Sequence, residues 1–201
     1  MPNEILSRRL FLLSSAALLL SGCETISRPA PFSPTTALPP FYPNFPSPFT
    51  ALIDQLITVS FAEAARLGGA PAEVPELRAM LNVKADSLDL ALIALHQSVW
   101  RLHVSPAGLQ ESRHPLLDQH VQARAFLRDL TFCLWPEAAL REMIAQTGTP
   151  DKWSLSVTDT RRILSSGDVR LFDMEVRDGI TVLNNYPEGY TLTIRTAPPQ
   201  P

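Results

Sequence analysis

From residue 76 to 86 two sets of residues take strict turns. Leu77, Ala79, Leu81, Val83 and Ala85 alternate with Glu76, Arg78, Met80, Asn82, Lys84 and Asp86. Successive side chains of a strand point to opposite faces, so this pattern requires a strand with one buried face. A helix would scatter the same apolar residues around its circumference. Ile57, Val59 and Phe61 alternate with Thr58 and Ser60 in the same way. Further strand-like runs cover residues 88–93, 99–104, 153–157, 169–176, 180–183 and 190–194. Turn chemistry separates many of them: Leu67-Gly-Gly, Pro106-Ala-Gly108, Ser165-Ser-Gly-Asp168, Asp178-Gly179 and Pro187-Glu-Gly189. Asp178-Gly179 between two strand patterns is a two-residue hairpin signal.

One region breaks the alternation. Asp118 is a candidate N-cap for a helix over 119–134, with Val121, Phe126, Leu127, Leu130 and Leu134 on roughly one face. Pro136 interrupts it and suits the first turn of a second helix over 137–146, stopped by Gly148. Strands, a central helical pair, then strands read as α+β: a curved antiparallel half-barrel sheet whose concave face the helical pair covers. A domain of about 150 residues buries about 70% of its unfolded surface, enough to be stable alone.

Composition excludes several classes. The chain is 45% hydrophobic and 18% charged, which is too apolar for disorder. A net charge of −3 argues against nucleic acid as a partner. Two cysteines make neither a disulfide scaffold nor a four-cysteine zinc site. The one long apolar run lies at the N-terminus, which excludes a polytopic helical membrane protein.

That run has the layout of an export signal. Ser7-Arg8-Arg9 supplies the positive n-region, and residues 10–20 form an uncharged h-region. Leu20-Ser21-Gly22-Cys23 resembles a bacterial lipobox, with residues 1–22 removed once the Cys23 thiol has taken a diacylglyceryl group. Ser7-Arg8-Arg9-Leu10-Phe11-Leu12 is similar to the twin-arginine consensus, but Leu13 stands where lysine is usual. Twin-arginine and Sec export both stay open. Glu24, not aspartate, follows the cysteine, which by the lipoprotein sorting rule implies the outer membrane, periplasmic face. Loss of residues 1–22 removes Arg8 and Arg9 against Glu4, so the mature chain is more acidic than −3. Such a body gains nothing from anionic lipid, and the acyl chains must supply attachment.

Between the anchor and the domain, prolines 29, 31, 34, 39, 40, 43, 46 and 48 preclude helix or central strand. The expected organisation is a cleaved signal over 1–22, lipidated Cys23 and a proline-rich tether over 23–48, a domain over 49–196, and a frayed tail over 197–201.

Several stretches carry a family resemblance. Residues 77–92, from Leu-Arg-Ala-Met-Leu-Asn-Val-Lys, and 99–108, Val-Trp-Arg-Leu-His-Val-Ser-Pro-Ala-Gly, resemble an uncharacterised family of bacterial outer-membrane lipoproteins. So do 126–136, Phe-Leu-Arg-Asp-Leu-Thr-Phe-Cys-Leu-Trp-Pro, and 184–194, Asn-Asn-Tyr-Pro-Glu-Gly-Tyr-Thr-Leu-Thr-Ile. Members often accompany aryl polyene gene clusters, and their layout is similar to that of LolB, the outer-membrane receptor for lipoproteins. The resemblance implies a LolA/LolB-like half-open barrel with a helical lid over an apolar cavity that shields acyl chains. Candidate lining residues are Leu81, Val83, Leu90, Leu92, Trp100, Leu102, Phe126, Leu130, Trp153, Phe172 and Leu192. Each is equally suited to an ordinary filled core. LolB-like receptors also expose a leucine on an inter-strand loop, between proline and glycine, that helps deliver lipid. The matching position is Leu95, flanked here by Ala94 and His96. Leu95 either stands out on a loop or ends a strand and packs inward.

Catalytic signatures are missing from the sequence. The histidines are His96, His103, His114 and His120, with no H-E-x-x-H among them. His114, Asp118 and His120 lie close together, but straddle a loop and a helix start and read as solvated surface. Cys133 sits in the helical pattern as a small buried hydrophobe. His103, Ser105 and Asp89 form a hydrolase set only if the fold joins them. Arg124 and Arg128, spaced i, i+4, read as the wet face of a helix, and Arg141 and Arg161-Arg162 are further basic spots. The expectation is a non-enzymatic lipoprotein without cofactor or metal, its partners being the membrane, a lipid or acylated-protein cargo, and a periplasmic carrier. The alternative is a scaffold of the same fold, with a filled core, docking on an envelope or biosynthetic complex.

Overall fold

The computed structural model describes residues 41–63, 66, 76–115, 117 and 121–197. Five strands come first: β1 (Ala51–Phe61), β2 (Leu77–Val83), β3 (Leu88–Ala94), β4 (Gln97–Ser105) and β5 (Gly108–Arg113). Helices α1 (Ala123–Leu134) and α2 (Glu137–Ala145) follow. A 3-10 turn at Pro150–Lys152 leads into β6 (Trp153–Val157), β7 (Arg161–Ser166), β8 (Val169–Arg177), β9 (Ile180–Asn185) and β10 (Tyr190–Thr196). All ten strands form one antiparallel sheet in the order β5-β4-β3-β2-β1-β10-β9-β8-β7-β6. Two five-stranded meanders thus join along the β1–β10 seam. The chain leaves the sheet at the β5 edge, passes through both helices, and re-enters at the β6 edge. The α+β reading holds.

Alternation sets the buried face. Leu77, Ala79, Leu81 and Val83 are all buried, and the register aligns Ile53, Leu81, Leu90 and Leu102 across β1 to β4. The second meander aligns Leu192 with Leu183 and Leu183 with Met174. Both layers face the apolar stripe of α1, where Phe126, Leu127, Leu130 and Phe132 are buried. The β2 pattern breaks off at Val83, because the Lys84 N–H bonds the Ser87 carbonyl at 2.8 Å and turns the chain. Ala85, expected on the buried face, is exposed in that turn.

Two strands carry no clean alternation. In β5, Gly-Leu-Gln-Glu-Ser-Arg forms an edge strand, where half the hydrogen-bonding groups face solvent and little apolar surface is needed. In β7 the position between Val157 and Met174 is filled by Arg162. Its Nη1 donates to the carbonyls of Phe132 (2.8 Å), Cys133 (3.3 Å) and Trp135 (2.8 Å). These are carbonyls at the end of α1 that lack intrahelical partners, so a cation on the sheet caps the helix.

Two boundaries move. Helix α1 starts at Ala123, not 119; Val121 and Gln122 are non-helical, and Gln122 gives no side-chain cap. Asp118 lies outside the described residues. The domain also begins before Phe49. Phe41 is 1% exposed with its ring 5.6 Å from Phe132, and Trp135 Nε1–H donates to Asn44 Oδ1 at 3.1 Å. The Ser47 N–H bonds the Ala85 carbonyl at 2.8 Å. Prolines forbid regular structure here, but the aromatic residues between them pack as core. At the other end Ala197 N–H bonds the Asp54 carbonyl at 3.0 Å; residues 198–201 lie outside the description.

On the opposite sheet face Asp173 accepts from Arg161 Nε (2.8 Å) and Nη2 (2.6 Å) and from Arg170 (2.9 Å). The Arg161 bond, joined by the charge of Arg161 and Arg170, holds the Asp173 carboxyl below its ordinary value against the opposing pull of burial. A depressed native pKa means that the unfolded chain binds the proton more readily. The contribution is therefore present above the ordinary carboxylate range and lost as pH falls through the native value. Asp173→Asn is expected to flatten the acid limb, read as urea midpoints converging with wild type as pH is lowered from 7 toward 3. An unchanged acid limb would remove Asp173 from that role.

Candidate functional site

The expected lining residues share one face. Leu81, Val83, Leu90, Leu92, Trp100, Leu102, Phe126, Leu130, Phe172 and Leu192 are buried in a single core, and Trp153 is half-buried against it. Register pairs Leu81 with Leu90, Leu90 with Leu102, and Leu92 with Trp100. The Trp100 ring meets Phe126 at 5.5 Å, and Phe172 meets Phe132 at 5.2 Å. Trp100 Nε1–H donates to Glu111 at 2.8 Å, and Arg113 stacks on the ring at 5.0 Å, so the polar edge of the indole is satisfied at the β5 edge. The sheet and α1 bring all eleven together as a packed interior.

Leu95 stands out. It and His96 are the two central residues of the β3–β4 hairpin, with φ of 48° and 64°. Positive φ at both positions is the hand that two-residue hairpins use, and asparagine–glycine is the pair that adopts it readily. A left-handed conformation costs a leucine about 1–2 kcal/mol. Histidine is more restricted than glycine at such a position, yet His96 adopts the tight turn. Leu95 is 87% exposed, so the inward-packing alternative is excluded. Changing the pair to asparagine and glycine (Leu95→Asn with His96→Gly) is expected to raise stability by about 1–2 kcal/mol. A urea midpoint equal to or below wild type would contradict the strain.

The third feature lies where α1 meets the β9–β10 turn. Arg128 bonds Asp129 through Nε at 2.8 Å, and its Nη1 and Nη2 grip the Glu188 carboxylate, Nη1 at 3.2 Å. The Tyr190 hydroxyl donates to Asp129 Oδ2. Asn185 Nδ2 donates to Glu188 at 2.7 Å, and the Glu188 N–H returns to Asn185 Oδ1 at 3.1 Å. Gly189, with φ of 68°, turns the chain so that Glu188 faces the helix. Asp129 is 0% exposed, and its burial pushes the carboxyl up against the pull of Arg128 and Tyr190. Burial also works against the Arg128 charge, but Asp129 and Glu188 more than offset it and hold the guanidinium protonated. Burial pushes the Tyr190 phenol well up.

This cluster corrects the wet-face reading of α1: Arg124 is exposed, but Arg128 is locked inside. The signal was Asp129, an acid three residues after Phe126 and so on the apolar face, which requires a buried cation. The other basic spots are structural too. Arg141 pairs with Glu137 one turn away, Arg161 with Asp173, and Arg162 caps α1.

Of the imagined hydrolase set, the sheet joins Asp89 to His103 at 2.7 Å, with Lys84 3.1 Å from the same carboxylate. The His103 bond, helped by Lys84, holds Asp89 below the usual carboxylate range. No hydrogen bond joins Ser105 to the pair among the described residues. Cys133 is partly buried against the core, not fully enclosed as expected, and desolvation of its thiol pushes the pKa well up. His114 lies at the start of the β5–α1 connection, whereas Asp118, His120 and Cys23 fall outside the described residues. Among the described residues no cluster has the makings of a metal site, and no helix is long and apolar enough to cross a membrane.

No curated protein matches this chain. A family defined as a protein of unknown function, DUF3261, matches residues 53–198, from β1 to just beyond the end of β10. The chain therefore belongs to the DUF3261 family.

Proposed function

We propose that this protein is a lipoprotein of the outer membrane, held on its periplasmic face by acylated Cys23. In this reading a LolB-like domain binds a lipidic cargo, an acylated protein or an aryl-polyene lipid, and passes it to the membrane. The observation that carries the reading is Leu95: a large aliphatic side chain, 87% exposed, on a turn whose backbone glycine or asparagine would suit better. A leucine kept there at a cost in stability is explained by contact with an apolar phase. Cargo arrives from a soluble carrier, moves without covalent chemistry, and is driven by its higher affinity for the bilayer. The Arg128–Glu188 latch ties α1 over the sheet, and its release would let the helical pair part from the core.

Leu95→Glu tests delivery, because the turn stays exposed while its apolar tip becomes charged. Transfer of acylated cargo from the purified protein to vesicles is expected to fall at least about tenfold, with the unfolding midpoint near wild type. Undiminished transfer would end the case for Leu95. The scaffold alternative draws on a different observation, the filled interior around Leu81, Trp100 and Phe172. Native mass spectrometry separates the two readings: retained lipid lost on organic extraction supports cargo binding, and a bare mass with co-purifying protein supports the scaffold.

A further inference from the structure

The sheet face turned away from the helices carries a trough of about 520 Å³. Its floor follows from register. Met80, Ala91, Arg101 and Ser112 form one row across β2 to β5, beside a second row that runs from Leu52 through Asp89 to His103. Ala91, small between Met80 and Arg101, makes the depression. The β1–β2 end is aliphatic: Leu52 is 76% exposed and Met80 41%, two of the large apolar residues that the described surface leaves bare. The β4–β5 end is cationic. Arg101 is exposed, bonds Ser98 Oγ at 3.1 Å, and pairs with no carboxylate among the described residues. There a second niche of about 240 Å³ adjoins the trough and shares Arg101 and Ser112 with it. Ser98 and His114 also line this niche. Ser98 lies opposite Ile93, so the niche sits at the hairpin end of the strands, next to Leu95.

The trough is apolar along Leu52, Met80 and Ala91, and is flanked by Asn82, Asp89 and His103, with the Asp89 carboxylate already held by His103 and Lys84. Its β4–β5 end carries Gln110, Glu111 and Ser112 beside Arg101, the cation there that no described carboxylate holds. Such a surface is complementary to an amphiphile with one chain and an anionic head. The trough volume falls within the range of about 300–1,000 Å³ typical of small-molecule sites. The niche is larger than a bare carboxylate requires. We infer that the outer face of β1–β5 binds a single-chain phospholipid, its phosphate-bearing head on Arg101 and Ser112 and its chain running over Ala91 to Met80 and Leu52. Arg101 meets the phosphate through its guanidinium fork, and the chain is withdrawn from water along the aliphatic end. The inference rests on the lipid-handling reading above, and moves the chain-binding surface from the packed interior to the opposite face of the sheet.

The test uses the full acylated protein in membrane vesicles, with lysophosphatidylglycerol carrying a diazirine at the chain terminus. After irradiation, adducts are expected on the peptides holding Leu52 and Met80. Arg101→Glu is expected to reduce labelling about tenfold or more. Ala91→Trp, which fills the trough, should abolish it. Arg101 is exposed, so its variant keeps the fold and serves if Ala91→Trp does not. Adducts confined to α1 or to the interior face, or labelling indifferent to Arg101→Glu, would overturn the site. Equal labelling by a diazirine fatty acid would overturn the phosphate head. Failure of the delivery reading looks different: groove labelling persists while no cargo reaches vesicles. Conversely, transfer with adducts only on the interior face removes the groove and leaves delivery standing.

Discussion

Arg128→Ala is expected to lower the unfolding free energy by about 3–5 kcal/mol. The substitution leaves Asp129, which is fully buried, and the Glu188 carboxylate with no cation between them. Tyr190 and Asn185 still donate, but they bring no charge to offset two carboxylates. The stacking of the guanidinium on Phe172 at 5.2 Å is lost as well. Denaturant unfolding at neutral pH measures the effect. A second variant separates lost packing from stranded charge: adding Asp129→Asn to Arg128→Met removes the fully buried stranded charge, leaves only the partly exposed Glu188, and should recover most of the loss. A cost below about 1 kcal/mol for Arg128→Ala would place this contact with ordinary surface ion pairs and remove the latch.

Cys23→Ala is expected to shift the protein from the outer-membrane fraction to the soluble periplasmic or precursor pool. On the proposed acylation the anchor contributes about 0.8 kcal/mol per buried methylene, summed over two or three chains. Among the described residues nothing approaches that figure. The body carries net negative charge and gains no attraction to anionic lipid, and an exposed aliphatic side chain such as Leu95 or Leu52 offers about 1.5–3 kcal/mol at most. Fractionation with immunodetection reads the result. Retention of the variant in the outer membrane would mean that another surface holds the protein there.

Much of the fold was legible because alternation is a local property. The β2 pattern as far as Val83, the β3 pattern, the Asp178-Gly179 turn and the proline break at Pro136 each act within a few residues, and each appears where the sequence puts it. Misses fall where partners are distant in sequence. β5 has little apolar character because it lies at a sheet edge, and β7 spends an inward position on Arg162, which makes sense only with the end of α1 above it. The proline-rich stretch gave no hint that Phe41 seals the core against Phe132, since 91 residues separate them. Likewise, Asp129 on the apolar face signals a buried cation, but the second partner of Arg128 is fixed only when the β9–β10 turn carries Glu188 to it.

The sequence by itself determined the type of every element but β5 and β7, the buried face of the central strands, and the position of Leu95 between two of them. Hydrophobic period and turn chemistry encode those locally. Only the tertiary structure decided that Leu95 points outward on a left-handed turn, that Arg128 is an interior latch, and that Met80, Ala91 and Arg101 line one trough. Those depend on strand register and helix placement. Both arise from the summed burial of many residues far apart in the chain, so no short stretch contains them.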